Sequence, residues 1–166
     1  MKITNELAHF IYLIITACTC NSAEDLRLTI KSLSCLHDIV ESYEKQRAKL
    51  QERAIPYEQK ARHLVKAIEQ FGKEVNDKGE PIKSEGSVEK LNKELDATVA
   101  LISEIDDLAK ELRGNEVDFK PSSEEKAAIK SVLVENVSNF FGPNPRLENI
   151  AGISDMRKYL EAIESM

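Results

Sequence analysis

Aromatic side chains and glycine are scarce in this sequence. It has no tryptophan, aromatic residues make up 5% of its 166 positions, and only six positions are glycine. Charged residues, in contrast, make up 31%. This composition is that of a helical protein with a thin core and not of a sheet protein, so the predicted class is all-α, in one domain after any export signal is removed.

An excess of basic residues is also absent. The chain has 23 lysines and arginines against 29 aspartates and glutamates, a formal net charge of −6. The two signs are interleaved along the chain, which leaves no basic patch to bind phosphate groups. Nucleic acid is therefore not an expected partner.

The motifs of common catalytic and metal sites are missing from the sequence. It contains no HExxH, no CxxC pair, no glycine-rich phosphate loop and no nucleophile elbow. His37, Asp38 and Glu41 form a weak ligand set, but two or three such residues on a polar helix are typical of solvated surface. His37 and His63 would lie about 39 Å apart on one helix and cannot share a metal ion. We expect no enzymatic activity, cofactor or bound metal.

Long hydrophobic runs are absent as well, apart from one near the start. Residues 10–20 form an apolar stretch of 11 residues, preceded by Lys2 and followed by Ser22 and Ala23. A bilayer-spanning helix needs about 20 residues, whereas this length suits the centre of a secretory signal. We interpret residues 1–23 as a signal peptide. The alternative is a buried first helix, which Glu6 and His9 ahead of the run leave open.

The same stretch contains a second pattern. Residues 15–18, Ile-Thr-Ala-Cys, are similar to the lipobox of bacterial lipoproteins, which implies a signal to residue 17 and lipidation at Cys18. A membrane is an expected partner only in that case. Cleavage after Ser22 or Ala23 would instead leave Cys35 as a single cysteine, which we expect to be buried as a small hydrophobe beside the apolar stripe.

A heptad repeat of apolar residues, the mark of a coiled coil, runs through the first half of the chain. It predicts one long helix over 24–76. The first row is Leu26, Leu33, Val40, Arg47, Ala54, Ala61, Ile68 and Val75; the second is Thr29, Leu36, Tyr43, Leu50, Tyr57, Leu64 and Phe71. Extra apolar residues widen the stripe before residue 44, so that part should lie in a bundle and the rest in a two-helix stalk.

Two residues of this helix depart from the pattern. Pro56 removes a backbone donor, but the heptad keeps its phase on both sides, so we predict a kink and not a break. The alternative is a chain reversal at Pro56 and a compact bundle. Arg47 places a charge on the seam. Either its side chain reaches the edge of the seam, or it forms a salt bridge with an acidic residue of segment 115–125 and fixes the register.

A second heptad follows the polar loop 76–86 and predicts a helix over 87–113. Two heptads joined by a short loop form an antiparallel hairpin. In the predicted register Ile68 lies near Leu95, Ala61 near Ile102 and Ala54 near Ala109, with the alanines allowing close approach of the backbones.

Two shorter helices are predicted after the hairpin, over 122–141 and 154–165, to cover the wide N-terminal half of the long helix. Ser122 and Glu125 have capping-box spacing, and Phe119 is a candidate anchor. Phe140 and Phe141 are either core anchors or an exposed partner-binding patch. Asn136 begins a glycosylation acceptor, but inside a helix we expect it to be unused.

The predicted function is that of an exported, non-enzymatic coiled-coil module that binds another protein. One alternative is a membrane-active or lipid-binding helical protein; another is an intracellular coiled-coil subunit that retains residues 1–23. The heptads permit both a lone hairpin and a dimer of hairpins.

Overall fold

The computed structural model describes residues 1–17, 22–71, 85–136 and 153–165. Within these ranges the chain forms five helices and two short strands. In chain order they are β1 (Lys2–Thr4), α1 (Asn5–Ala17), α2 (Ala23–Phe71), α3 (Glu85–Gly114), β2 (Glu116–Asp118), α4 (Ser123–Glu135) and α5 (Ile153–Glu164). None of the helices in these ranges is long and apolar enough to cross a membrane.

The chain divides into two compact units. The first consists of Met1–Glu44 and Arg113–Met166, and the second of Lys45–Leu112. Helix α2 contributes its N-terminal part to the first unit and the remainder to the second. The predicted all-α class is confirmed, as is the long helix that packs against a second helix and shorter ones.

A two-stranded sheet, which the sequence analysis did not predict, joins the two chain segments of the first unit. β1 pairs antiparallel with β2, with Ile3 opposite Val117. The Phe119 N–H donates to the carbonyl of Met1, and the Asn5 N–H donates to the carbonyl of Asn115, each at 2.9 Å. These bonds extend the pairing by one residue at each end, which stabilises a sheet of two short strands that would be marginal on its own.

Helix α1 lies in the core of the first unit. Ala8 and Ile11 are fully buried, and Ile14 is 1% exposed. The helix runs antiparallel to α2, since His9 contacts Glu44 (Nε2 to Oε1, 3.1 Å) whereas the later Tyr12 meets the earlier His37. The core cluster consists of Ile3, Leu7, Ala8, Phe10, Ile11, Ile14, Ile15, Leu36, Val40, Phe119, Ile129, Val132, Leu133 and Ile163.

Helices α4 and α5 complete this core, as the wide stripe of α2 predicts. Ile129 and Val132 of α4 and Ile163 of α5 are fully buried in the cluster. Polar contacts fix α4 on both neighbours: Ser131 Oγ lies 3.2 Å from Asp25 Oδ2 of α2, and Lys130 Nζ donates to the carbonyl of Glu164 in α5 at 2.9 Å. Phe119 is 1% exposed, which confirms its role as an anchor.

The second unit is the hairpin of α2 and α3. Helix α2 continues through Pro56, so the chain does not reverse there, and the compact-bundle alternative is wrong. The proline is exposed, which spares its ring from clashes with the neighbouring helix. An ion pair between Lys60 Nζ and Glu94 Oε1, at 2.8 Å, joins the two helices.

Helix bounds differ from the predicted ones by a few residues. α2 begins one residue earlier than predicted, α3 begins two residues earlier, and α5 runs one residue earlier at both ends. Helix α4 ends at Glu135 with Asn136 as its C-cap, earlier than the predicted 141. Residues 72–76 and 137–141 lie outside the described residues.

Candidate protein-binding surface of the hairpin

The seam of the hairpin follows the predicted heptads. In heptad letters, the first row of α2 occupies positions a and the second row positions d. On α3 positions a are Val88, Leu95, Ile102 and Ala109, and positions d are Leu91, Thr98, Ile105 and Leu112. Leu64, Thr98, Ile105 and Leu112 are buried. The remaining seam residues of α3, and those of α2 from Leu50 to Phe71, are half-buried. Two helices alone therefore cover the seam only in part.

The predicted register residues all lie on this seam. Each is half-buried: Ala54, Ala61, Ile68, Leu95, Ile102 and Ala109. The pairings among them stay a prediction. Arg47, at an a position, is exposed, and both explanations for it also stay predictions.

The ion pair between Lys60 and Glu94 identifies one side of the hairpin. Each residue directly precedes a first-row seam residue, Ala61 and Leu95, and so occupies position g. In an antiparallel pair the g positions of the two helices face each other on one side of the seam. The Lys60 ammonium, through its hydrogen bond and its charge, holds the pKa of the Glu94 carboxyl below its ordinary value.

Two leucines extend this side of α3. Leu101 and Leu108 also occupy g positions, one and two heptads after Glu94, and they are 38% and 42% exposed. Leucine is normally buried on a helix of this kind. Because the two leucines share one heptad position, they form an exposed apolar strip along α3. This strip was not among the predicted sites, although the g position of both residues can be read from the heptad.

The opposite side carries a second, smaller set of exposed apolar residues. Val65 of α2 and Val99 of α3 both occupy position e and are 42% and 51% exposed. Ile55, on the outer side of α2, is 48% exposed. The hairpin thus leaves apolar side chains exposed on both flanks of its seam.

Of the other predicted site residues, Asn136 and Cys35 belong to the first unit and not to the hairpin. Phe140, Phe141 and Cys18 lie outside the described residues. Asn136 is 2% exposed, and its side-chain nitrogen donates to the carbonyl of Val132 at 2.8 Å, a position unfavourable for glycosylation. Cys35 is exposed, so its predicted burial is wrong. It occupies heptad position c, which points away from the seam.

The three possible metal ligands of α2, His37, Asp38 and Glu41, lie close together, as their spacing on one helix predicts. Ligand atoms of His37, Asp38 and Glu41 lie within 4.8 Å of one another, and all three residues are exposed. His37 also contacts Tyr12, with Nδ1 3.4 Å from the phenol oxygen. Exposed acidic groups of this kind are common on solvated helices.

A buried carboxylate links α4 to α2 in the first unit. Glu125 is 3% exposed; its Oε2 accepts a hydrogen bond from the Ser122 N–H at 2.7 Å, and its Oε1 lies 3.0 Å from Lys31 Nζ. The Glu125 N–H in turn donates to Ser122 Oγ, which confirms the predicted capping box. The backbone N–H of Ser122 first, and then Lys31, lower the pKa of Glu125.

Comparison of the chain with models of protein families, with curated proteins and with solved structures finds no match.

Proposed function

We propose that this protein is a non-enzymatic helical module that acts by binding another protein chain through the hairpin of α2 and α3. The observation that carries this proposal is the set of apolar side chains that the hairpin leaves exposed on both flanks. Leu101, Leu108, Val65 and Val99 are 38–51% exposed. Covering such residues is the usual source of affinity between helical partners.

The polar residues of the hairpin favour a protein partner over a bilayer. A helix that lies on a membrane carries lysine and arginine along its polar face and large apolar residues on the other. Helix α3 has the opposite balance, because its exposed leucines stand next to Glu104 and Glu111. An anionic lipid surface would repel these carboxylates.

Site-specific photo-crosslinking in the native cell tests the proposal. A photoreactive amino acid replaces Leu101 or Val99 in the full chain, with Glu89 on the outer side of α3 as the matched control. We expect protein adducts at the two apolar positions and not at the control. Absence of protein adducts at both positions, together with flotation of the protein on liposomes, would replace this proposal with the membrane-active alternative.

The packing of α1 bears on where the protein acts. Cleavage after Ser22 or Ala23 would remove β1 and α1, and with them Ile3, Ile11 and Ile14 from the core of the first unit. The cost of losing this much buried surface favours a protein that keeps these residues, which is the alternative of a coiled-coil subunit inside the cell. Export stays a prediction from the sequence pattern.

Mass spectrometry of the protein from its native cell separates the two cases. Trypsin cuts after Lys2 and Arg27, so a retained segment gives a peptide covering residues 3–27. A signal peptide cleaved at the predicted place gives instead a peptide that begins at Ala23 or Glu24 and ends at Arg27. Lipidation at Cys18 gives a peptide that begins at a modified Cys18.

A further inference from the structure

Charge is distributed unevenly between the two helices of the hairpin. From Lys45 to Phe71, α2 has seven lysines and arginines and three glutamates. From Glu85 to Leu112, α3 has eight aspartates and glutamates and three lysines. One arm of the hairpin is therefore basic and the other acidic.

The asymmetry is sharpest on the side marked by the ion pair of Lys60 and Glu94. We define the g face as the g and c positions of α2 from 46 to 63 and of α3 from 94 to 111. On α2 its charged side chains are Lys49, Arg53 and Lys60, with no carboxylate. On α3 they are Glu94, Glu104 and Glu111, with no base, and Leu101 and Leu108 lie between them.

Most of these charges are not used within the hairpin. Lys60 pairs with Glu94, but Lys49, Arg53, Glu104 and Glu111 are exposed and have no ion-pair partner among the described residues. The g face thus offers an exposed basic strip on one helix beside an exposed acidic and leucine-containing strip on the other.

We propose that the g face binds the g face of a second copy of this chain, forming an antiparallel four-helix bundle with two-fold symmetry. A two-fold axis that runs parallel to the helices, between the two g faces, places α2 of each copy against α3 of the other. Lys49 and Arg53 of one copy then face Glu104 and Glu111 of its partner, and the leucines of both copies are buried near the axis. This inference rests on the proposed function and names the partner.

The expected strength of this dimer follows from its size. The g face extends over 18 residues of each helix, which is about 26 Å long and about 20 Å wide across two helices. Each copy would bury about 500 Å², about 1,000 Å² in total, which is at the low end for a specific interface. We therefore expect a dimer that dissociates at micromolar concentration and is weakened by salt.

The test measures the mass of the full chain in solution by sedimentation equilibrium, over a micromolar concentration series at low and high salt. We expect twice the chain mass of 18.7 kDa at high concentration and low salt, and the single mass on dilution or in high salt. Two variants reverse the charges: Lys49→Glu with Arg53→Glu on α2, and Glu104→Lys with Glu111→Lys on α3. Each alone should remain monomeric, because like charges then face each other.

Mixing the two variants in equal amounts should restore the dimer, because the acidic α2 and acidic α3 of one variant meet the basic α3 and basic α2 of the other. The matched control is Arg62→Glu with Lys66→Glu, which makes the same charge change on the outer side of α2 and should dimerise like the unmodified protein. Circular dichroism verifies the helical content of each variant. If one variant loses its helical signal, the other and the control decide the result.

Three results would overturn the proposal: a single-chain mass at every concentration, a dimer that both reversed variants retain, or variants that stay monomeric when mixed. A monomer that nevertheless forms crosslinks from Leu101 to a different protein would leave the proposed function standing and reject only the second copy as its partner. Absence of both crosslinks and dimer would reject both.

Discussion

Truncation of a single core residue of α1 tests whether this helix belongs to the folded protein. Ile11 is fully buried and lies in the cluster formed with α2, α4 and α5. Ile11→Ala removes three carbon atoms, worth about 2.4 kcal/mol of transfer free energy at about 0.8 kcal/mol each. The cavity left behind adds to this, so the expected loss of unfolding free energy is about 3 to 4 kcal/mol.

This loss is large compared with the whole stability of a typical domain, about 5 to 15 kcal/mol. With a urea dependence of about 2 kcal/mol per molar, the unfolding midpoint should fall by about 1.5 to 2 M. Urea titration of the full chain, followed by circular dichroism, measures this shift. Hydrogen exchange of peptides from residues 5–17 shows whether α1 itself loses protection.

Thr16→Ala is the matched control, because Thr16 is exposed on the same helix and bonds only to carbonyls of its own preceding turn. It should change the unfolding free energy by less than about 0.5 kcal/mol. The reasoning is refuted if the two variants unfold at the same urea concentration, since Ile11 would then not be packed in a core.

Three further predictions concern the cap of α4, Pro56 and the seam. The pKa of Glu125 is lowered in the folded protein, so its ionised carboxylate stabilises the fold at pH values above the ordinary pKa of 4.5. This stabilisation is lost as the pH falls through the lower pKa of the folded state. Glu125→Gln should therefore reduce the decrease in urea midpoint between about pH 7 and about pH 3. Pro56→Ala should raise the unfolding free energy by about 1 to 3 kcal/mol in thermal melting, because alanine supplies the backbone N–H that proline lacks and has the higher helix propensity. Ile105 is a seam residue that is 3% exposed, so Ile105→Ala should lower the unfolding free energy by about 2 to 4 kcal/mol. Leu108 is 42% exposed, so Leu108→Ala should lower it by less than about 1 kcal/mol at dilutions where the chain is monomeric. Equal losses would contradict the assignment of the seam.

The long-range periodic features could be predicted from the sequence alone. A heptad that keeps its phase from Leu26 to Phe71 predicts the helix and most of its buried side, and Pro56 does not change that phase; Leu26, which starts the first row, is nevertheless 48% exposed. The cap formed by Ser122 and Glu125 could also be predicted from the sequence, because its geometry depends on residues only three positions apart.

Pairing between distant segments could not be predicted in the same way. β1 and β2 have three residues each, too few to show an alternating pattern. An apolar helix such as α1 has the same composition whether it is a signal or a core element, since its burial depends on partners about a hundred residues away. The exposure of Leu101 and Leu108, in contrast, could have been predicted from the sequence, because their heptad position places them beside the seam and not in it.

The pairing of β1 with β2 determines how late in synthesis the first unit can fold. The paired residues Lys2 and Asp118 are separated by most of the chain. The ribosome must therefore translate about a hundred further codons after α1 before β2 can pair with β1. At about 5 to 20 residues per second this takes about 5 to 20 seconds. During that interval the apolar segment that forms α1 lacks its contacts with β2, α4 and α5, so part of its buried surface stays uncovered on the nascent chain.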